Sequence, residues 1–384
     1  MSTYKNKKVA IIGLSVEGID TAEFFAEEEA ILTFCDSRSQ EELGATYASL
    51  AKISTHFQLG STYLSQLDRF DLIVRTPGMS LRTPELRTVA AKGVPIESLT
   101  TLFFKHCKAP IIGVTGTKGK GTTSTLIHTI LRASEMKSWL GGNVGTPLLS
   151  KVRAITSSDI VVLELSSFQL EDLTQSPHVA VVLKITQEHL ANFDPRATNY
   201  HVSREAYVEA KKSIIRYQKN HDIAVCNADD PTSVSFAKET AAKTYYFSRS
   251  KTTVNSFVQD RAVYLKWDNG THLVCRSSEI QLLGIHNLEN IAAASLVGAL
   301  MGVPIATIGK AVRGFKGLEH RLEYVRTEAG VLYYDDSFST IPETTIAAIQ
   351  SFDAPLLLIV GGSEKRSDFT DLGKEIAQSH VKTL

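Results

Sequence analysis

Short apolar runs rich in Val and Ile recur along most of the chain, with few polar residues inside them. Lys8–Ile12, Ile31–Cys35, Asp71–Arg75, Pro110–Thr115, Ile160–Leu165, Val179–Ile185, Ile223–Asn227 and Leu356–Val360 each predict a buried strand. Apolar character that is continuous rather than alternating means burial on both faces, as in parallel sheets covered by helices. Between these runs, Glu17–Glu29, Lys120–Arg132 and Tyr200–Lys219 have helical length and helix-forming composition. Ala262–Cys275 differs, because Asn269-Gly270 divides two β-rich runs and predicts a hairpin with a type I′ turn. The longest uncharged stretch, 291–309, contains glycines, Ser295, Pro304 and Thr307, which predicts a buried helix, a turn and a second helix start. The pattern restarts near Ala109, after the helix-like Ser98–Lys108, and again after Gly317. The prediction is an α/β chain of three domains over 1–97, 98–318 and 319–384, the last short and apparently incomplete.

Composition narrows the class. Hydrophobic residues make up 43% and charged residues 21%, which excludes a disordered chain. Forty-one Lys+Arg balance forty-one Asp+Glu, so no net field favours nucleic acid or an anionic membrane, and neither is expected as a partner. Cys35, Cys107, Cys226 and Cys275 are too scattered for zinc-finger or CxxC spacing. The apolar run after the basic start is too short for a signal peptide, so a cytoplasmic protein is expected.

Three motifs carry candidate chemistry. Gly13-Leu-Ser15-Val-Glu-Gly18 follows a strand and opens a helix, and Asp36 ends the next strand. A dinucleotide site needs glycines beside the pyrophosphate and an acid for the ribose, but Ser15 replaces the middle glycine. On the residues alone, a bound nucleotide diphosphate and an unliganded βα turn are equal readings. Gly113-Val-Thr-Gly116-Thr117-Lys118-Gly119-Lys120-Gly121-Thr122-Thr123 lies between a strand and a helix. Amides of such a loop surround phosphate oxygens, and Lys120 adds positive charge. Gly121 stands where a phosphate loop usually has a Mg²⁺-binding hydroxyl, a place Thr122 or Thr123 is positioned to take. The third motif, Glu164-Leu-Ser166-Ser167-Phe-Gln169-Leu-Glu171, sets a carboxylate at a strand end, where a hard cation fits beside the loop. By themselves, His189 reads as a loop or capping residue, and Lys211 and Lys212 as solvated charges on a helix.

Gly116–Thr123, Gly141-Gly-Asn143-Val-Gly145-Thr-Pro, Glu164–Gln169, Gly284-Ile-His286-Asn287-Leu-Glu-Asn290 and Gly317-Leu-Glu-His320-Arg321 together resemble the Mur ligases. The resemblance runs from the Gly13 turn to Lys365 and is strongest toward members that add D-glutamate to UDP-N-acetylmuramoyl-L-alanine. It implies a Rossmann-like first domain, a central phosphate-loop ATPase domain and a short Rossmann-like third domain. The implied activity is ATP-dependent ligation through an acyl phosphate in peptidoglycan precursor synthesis, hence in cell shape and division. Another amino acid, or an ATP-binding homologue without turnover, is the alternative.

For individual residues, the resemblance implies that Gly116, Thr117, Lys118, Gly119, Lys120, Gly121, Thr122 and Thr123 hold ATP phosphates. Asn290 would meet adenine, while Arg321 and Asp336 would meet ATP from the third domain. Glu164, His189, Thr122 and a carbamylated Lys211 would hold Mg²⁺, two ions in all, with Lys120, Glu164, His189 and Lys211 carrying catalysis. Asn143, Ser166 and Ser167 would orient the muramoyl substrate. UDP would sit at Ser15, Asp36, Ser37, Arg38, Thr76, Pro77 and Gly78, and D-glutamate at Thr340 and Lys365. The enzyme is expected to act as a monomer. Phe338 departs from the family, which commonly has lysine there.

Overall fold

The computed structural model describes residues 3–143, 145–186, 199–362 and 367–384. Five parallel strands form the first sheet: β1 (Lys8–Ile12), β2 (Ile31–Asp36), β3 (Phe57–Leu59), β4 (Leu72–Arg75) and β5 (Ile96–Ser98), in the order β3-β2-β1-β4-β5. The chain leaves β1 toward β2 on one side, while β4 pairs on the other, with Ile11 opposite both Phe34 and Val74. The Gly13 turn therefore sits at the crevice where an open α/β sheet reverses direction.

Nine strands form the second sheet: β6 (Ile111–Thr115), β7 (Ser138–Gly142), β8 (Ile160–Glu164), β9 (Val179–Val182), β10 (Ile223–Asn227), β11 (Lys243–Ser248), β12 (Ser256–Gln259), β13 (Ala262–Trp267) and β14 (Gly270–Arg276). Their order is β14-β13-β12-β11-β10-β9-β6-β8-β7, parallel from β7 to β12 and antiparallel at the β12–β13–β14 end. Side chains of β6, β8 and β9 alternate between two cores. Ile112, Val114, Val162 and Val181 pack under helices Lys120–Ala133 and Ile285–Leu300. Ile111, Val161, Leu163 and Val182 belong to the opposite core, which continues to Phe24, Phe25 and Leu102 beside the first sheet. Burying each such side chain contributes about 1.5–3 kcal/mol, so this shared core holds the two sheets together. Polar bonds fix the join: Asp20 accepts from the Leu149 and Ser150 amides at 2.9 and 3.2 Å.

After Gly314 the packing changes. An antiparallel hairpin, β15 (Glu323–Glu328) with β16 (Val331–Asp335), precedes helix Pro342–Ile349. β17 (Leu356–Leu357), helix Thr370–Gln378 and β18 (Val381–Thr383) form a small parallel βαβ unit. Ile359 is 97% exposed here, whereas the strands at the centre of the second sheet are fully buried.

Several sequence expectations shift. The hairpin of the second sheet turns at Asp268 and Asn269, both with positive φ, so Gly270 is already a strand residue paired with Trp267. The helix predicted from Tyr200 begins at Arg204, because Ser203 caps it by accepting from the Ala206 amide. The runs Val179–Ile185 and Leu356–Val360 stay strand only to Val182 and Leu357. Strands β3, β5, β7, β11, β12, β15, β16 and β18 are not among the predicted ones; they are short or mix polar residues into the run. The uncharged stretch divides, as expected, into helices Ile285–Leu300 and Ile305–Gly314 around Gly302 and Pro304. No helix among the described residues is long and apolar enough to cross a membrane.

Candidate functional site

The loop from Gly116 to Gly119 joins the end of β6 to helix Lys120–Ala133. Its glycines are set by close approach as well as by φ. A Cβ on Gly116 would meet the Leu183 side chain at 2.6 Å, and one on Gly119 (φ +84°) would meet Asn290 Oδ1 at 2.3 Å. With Cβ atoms absent, the loop packs between Leu183, just after β9, and Asn290 of helix Ile285–Leu300, and it leads into the N-terminus of helix Lys120–Ala133, a place suited to phosphate. Lys120 folds back, donating to the Gly116 and Thr117 carbonyls at 3.1 and 2.9 Å. Thr117 is a brace: its hydroxyl receives the Thr186 amide at 2.8 Å and lies 3.0 Å from the Tyr207 hydroxyl. Thr123 is buried and donates to Asn290 Oδ1 at 3.4 Å, so Asn290 supports the loop from behind. Lys118, Gly121 and Thr122 lie along the same loop and first helical turn.

Glu164 ends β8 beside this loop, in register with Val114 of β6 and Gly142 of β7. It is 6% exposed. Oε1 accepts from Asn143 Nδ2 at 3.1 Å, and among the described residues Oε2 has no hydrogen-bond donor. Such an oxygen suits a hard cation. Gly142 is required here, since its Cβ would meet the Glu164 carbonyl at 2.1 Å. The next two serines are already engaged. Ser166 caps helix Ser167–Leu170, accepting from the Gln169 amide at 3.2 Å, and Ser167 Oγ lies 2.9 Å from His201 Nε2. Their hydroxyls shape the turn rather than face outward.

Lys211 corrects the reading as a solvated charge. It is 1% exposed, and Nζ donates to the Gly116 carbonyl at 2.9 Å and lies over the Tyr207 ring at 4.8 Å. Tyr207 and Lys211 are four apart on helix Arg204–Arg216 and share its inner face. Lys212 points away and pairs with Glu239. His189 lies outside the described residues, as does Lys365.

At the first sheet, Gly13 (φ +89°) leaves no room for a side chain, as its Cβ would meet Thr76 Oγ1 at 2.6 Å. Gly18 allows the helix to rest on the Gly13 carbonyl. Asp36 accepts from the Leu14 amide at 2.8 Å and from Arg38 at 2.8 and 2.9 Å. Burial works to raise the Asp36 carboxyl, but these bonds outweigh it and hold it below the usual range. Ser15 and Ser37 are exposed at the mouth of the turn. Thr76, Pro77 and Gly78 complete the crevice, with the Pro77 carbonyl accepting from Asn199 at 2.9 Å.

Arg75 was missed from sequence. Its side chain is fully buried, bonding Asp172 at 2.7 Å and the Met79 carbonyl at 2.9 Å, so it ties the loop after β4 to the segment following helix Ser167–Leu170. The available signal was a charge closing the apolar run Leu72-Ile-Val-Arg75.

In the third segment, Asp336 accepts from the Leu322 amide at 3.0 Å and from Ser339. Arg321 lies over the Phe338 ring at 5.2 Å and forms no ion pair among the described residues. Thr340 and Phe338 are exposed. The structure thus assembles the phosphate loop, Glu164 and Asn143 at adjacent strand ends, with Lys211 and Asn290 brought to the loop from helices Arg204–Arg216 and Ile285–Leu300. Arg321 and Thr340 are presented from the loops on either side of the separate β15–β16 hairpin.

Comparison with known proteins follows this division. The family profile of the Mur ligase middle domain matches residues 114–298, and that of the Mur ligase MurD-like N-terminal domain matches 7–98. The UDP-N-acetylmuramoylalanine–D-glutamate ligase of Symbiobacterium thermophilum is 39% identical over 382 residues, covering 98% of this chain and 82% of that protein. The enzyme of that name from Clostridium tetani is 38% identical, covering 99% and 80%. Among solved structures, UDP-N-acetylmuramate–alanine ligase from Thermotoga maritima has a TM-score of 0.57 at 17% identity over 90% of this chain and 77% of its own. MurF from Acinetobacter baumannii has 0.60 at 17% over 91% and 76%. These two show likeness of fold.

Proposed function

From the premise that this chain belongs to the Mur ligase family, we propose that it joins D-glutamate to UDP-N-acetylmuramoyl-L-alanine, consuming ATP, in peptidoglycan precursor synthesis. The observation that carries this reading is the phosphate loop at the end of β6 beside Glu164 and Asn143 at the ends of β8 and β7. The substrate carboxylate is a poor electrophile. Its oxygen attacks the γ-phosphorus of ATP, ADP leaves, and the resulting acyl phosphate accepts the amine of D-glutamate with loss of phosphate. Positioning and charge neutralisation supply most of such catalysis.

The Gly116–Thr123 amides and Lys120 hold the phosphates. Asn290 stands behind the loop toward the adenine, and Arg321 and Asp336 approach ATP from the third segment. Mg²⁺, when bound, neutralises phosphate charge; Glu164 through Oε2, Thr122, His189 and a carbamylated Lys211 are the groups that would hold it. Lys211 suits carbamylation in being buried and directed at the loop. Asn143 contacts the muramoyl end, which the Ser166–Ser167 turn shapes. UDP occupies the crevice of Ser15, Asp36, Ser37, Arg38, Thr76, Pro77 and Gly78, and D-glutamate meets Thr340 and Lys365. We assign the UDP, ATP and amino-acid roles to domains 1–97, 98–318 and 319–384, in a monomeric cytoplasmic enzyme.

The test is ATP-dependent phosphate release with UDP-N-acetylmuramoyl-L-alanine and each glutamate enantiomer, beside a panel of other amino acids. Release with D-glutamate alone is expected. Preference for another amino acid sinks the substrate assignment, and nucleotide binding without release sinks the ligase assignment.

A further inference from the structure

We propose that His201 is a positioning residue that aligns the turn after β8 with the phosphate loop, building on the ligase reading above. His201 and Ser167 are each 1% exposed, so neither side chain faces solvent. His201 Nε2 lies 2.9 Å from Ser167 Oγ. The imidazole stacks on Phe168 with centroids 4.8 Å apart and planes 7° apart, and meets the Tyr207 ring at 5.5 Å and 66°. Two aromatic contacts fix the ring plane, and the fixed plane fixes the direction of the Nε2 bond.

What the bond connects gives it a role. Ser167 is the first residue of the helix after Glu164-Leu165-Ser166, so holding Ser167 holds the turn that carries Glu164. On its other side, Tyr207 reaches Thr117 in the phosphate loop at 3.0 Å, and the same ring underlies Lys211. One buried group therefore spans the loops of strands β8 and β6, from which the acceptor and phosphoryl sides of the reaction are presented. The proposed phosphoryl transfer to the carboxylate needs that oxygen in line with the γ-phosphorus, and small misplacements lower the rate more than they weaken binding.

His201→Phe keeps both ring contacts and removes only the Nε2 bond, while His201→Gln restores a polar atom near the Nε2 position. In the phosphate-release assay, His201→Phe is expected to lower kcat about tenfold, with each KM within about twofold. His201→Gln recovers most of that loss. Ser167→Ala gives a similar fall, and the double variant adds little, since both remove one bond. Should His201→Phe not fold, His201→Asn, whose amide does not extend to the Nε2 position, replaces it in the cycle. Unchanged kcat, a rise in every KM together with a lower Tm, or additive losses would each overturn the proposal while leaving the ligase reading intact. A parent chain without D-glutamate-dependent phosphate release would instead remove the ligase reading on which the proposal stands.

Discussion

The phosphate loop and the segments flanking the β15–β16 hairpin both contribute residues to the proposed ATP site, and they are built in opposite ways. Around the loop, Gly116 and Gly119 are pressed against Leu183 and Asn290, Thr117 is braced by two partners, and Lys211 is buried. On the hairpin, Gly330 has φ +81° with nothing near its missing Cβ and Val325 and Leu332 face solvent, while just before it Arg321 rests on an exposed ring. The first region is preorganised by packing, so its geometry exists before ligand arrives. The second is held mainly by local hydrogen bonds and has little packing to fix it. Substitutions in the two regions should therefore report different things.

The largest effect is expected from Lys120→Ala. Removing a preorganised charge at a phosphoryl site costs about 10²–10³-fold in rate. Circular dichroism and Tm should stay near the parent, and near-normal turnover in a folded variant would remove the loop from the reaction. Lys211→Ala comes next, with about a 10–100-fold loss if Lys211 supports the metal site. High bicarbonate or formate should partly rescue it if the lysine is carbamylated, whereas Lys212→Ala, which loses only the pair with Glu239, keeps activity. Equal behaviour of the two lysine variants would reject the carbamate.

Smaller effects separate packing from backbone strain. Gly119→Ala places a methyl 2.3 Å from Asn290 Oδ1 and should lower stability by about 1–3 kcal/mol, with weaker nucleotide binding. Gly330→Ala has room for its methyl and should cost only the left-handed backbone term, about 1–2 kcal/mol, with no effect on the nucleotide. Equal losses in Tm and nucleotide affinity would erase the contrast. The smallest effect concerns His320 and Asp335, 2.7 Å apart on the hairpin side. The Asp335 hydrogen bond raises the His320 pKa, and the His320 bond lowers Asp335 to about 2. Stabilisation from the raised histidine is present below its ordinary pKa and fades as pH rises through the raised value. That from Asp335 is present above the ordinary carboxylate pKa and fades as pH falls toward about 2. Asp335→Asn should bring the His320 titration, followed by NMR, down toward its usual value. An unmoved titration would remove the pair.

Sequence pattern located the central strands because both-face burial writes itself as unbroken Val/Ile runs, and it located the loop because glycines and lysines between strand and helix have few other uses. It missed β3 and β5, most of whose residues are only partly buried, and it left Lys211 among solvated charges. Nothing in Ala-Lys-Lys-Ser tells which lysine faces inward until the helix is docked.

By itself, then, the sequence determined which segments could be strands and where phosphate-binding chemistry could reside. Those properties follow from residue type and short-range spacing. Only the tertiary structure decided that Arg75 would be sealed against Asp172, that Asn290 would back Gly119, and that His201 would join Ser167 to the Tyr207 cluster. Apart from the neighbours His201 and Tyr207, these partners are separated by 34 to 171 positions. Their meeting depends on the order of strands in two sheets and on the core those sheets share, which no local pattern encodes.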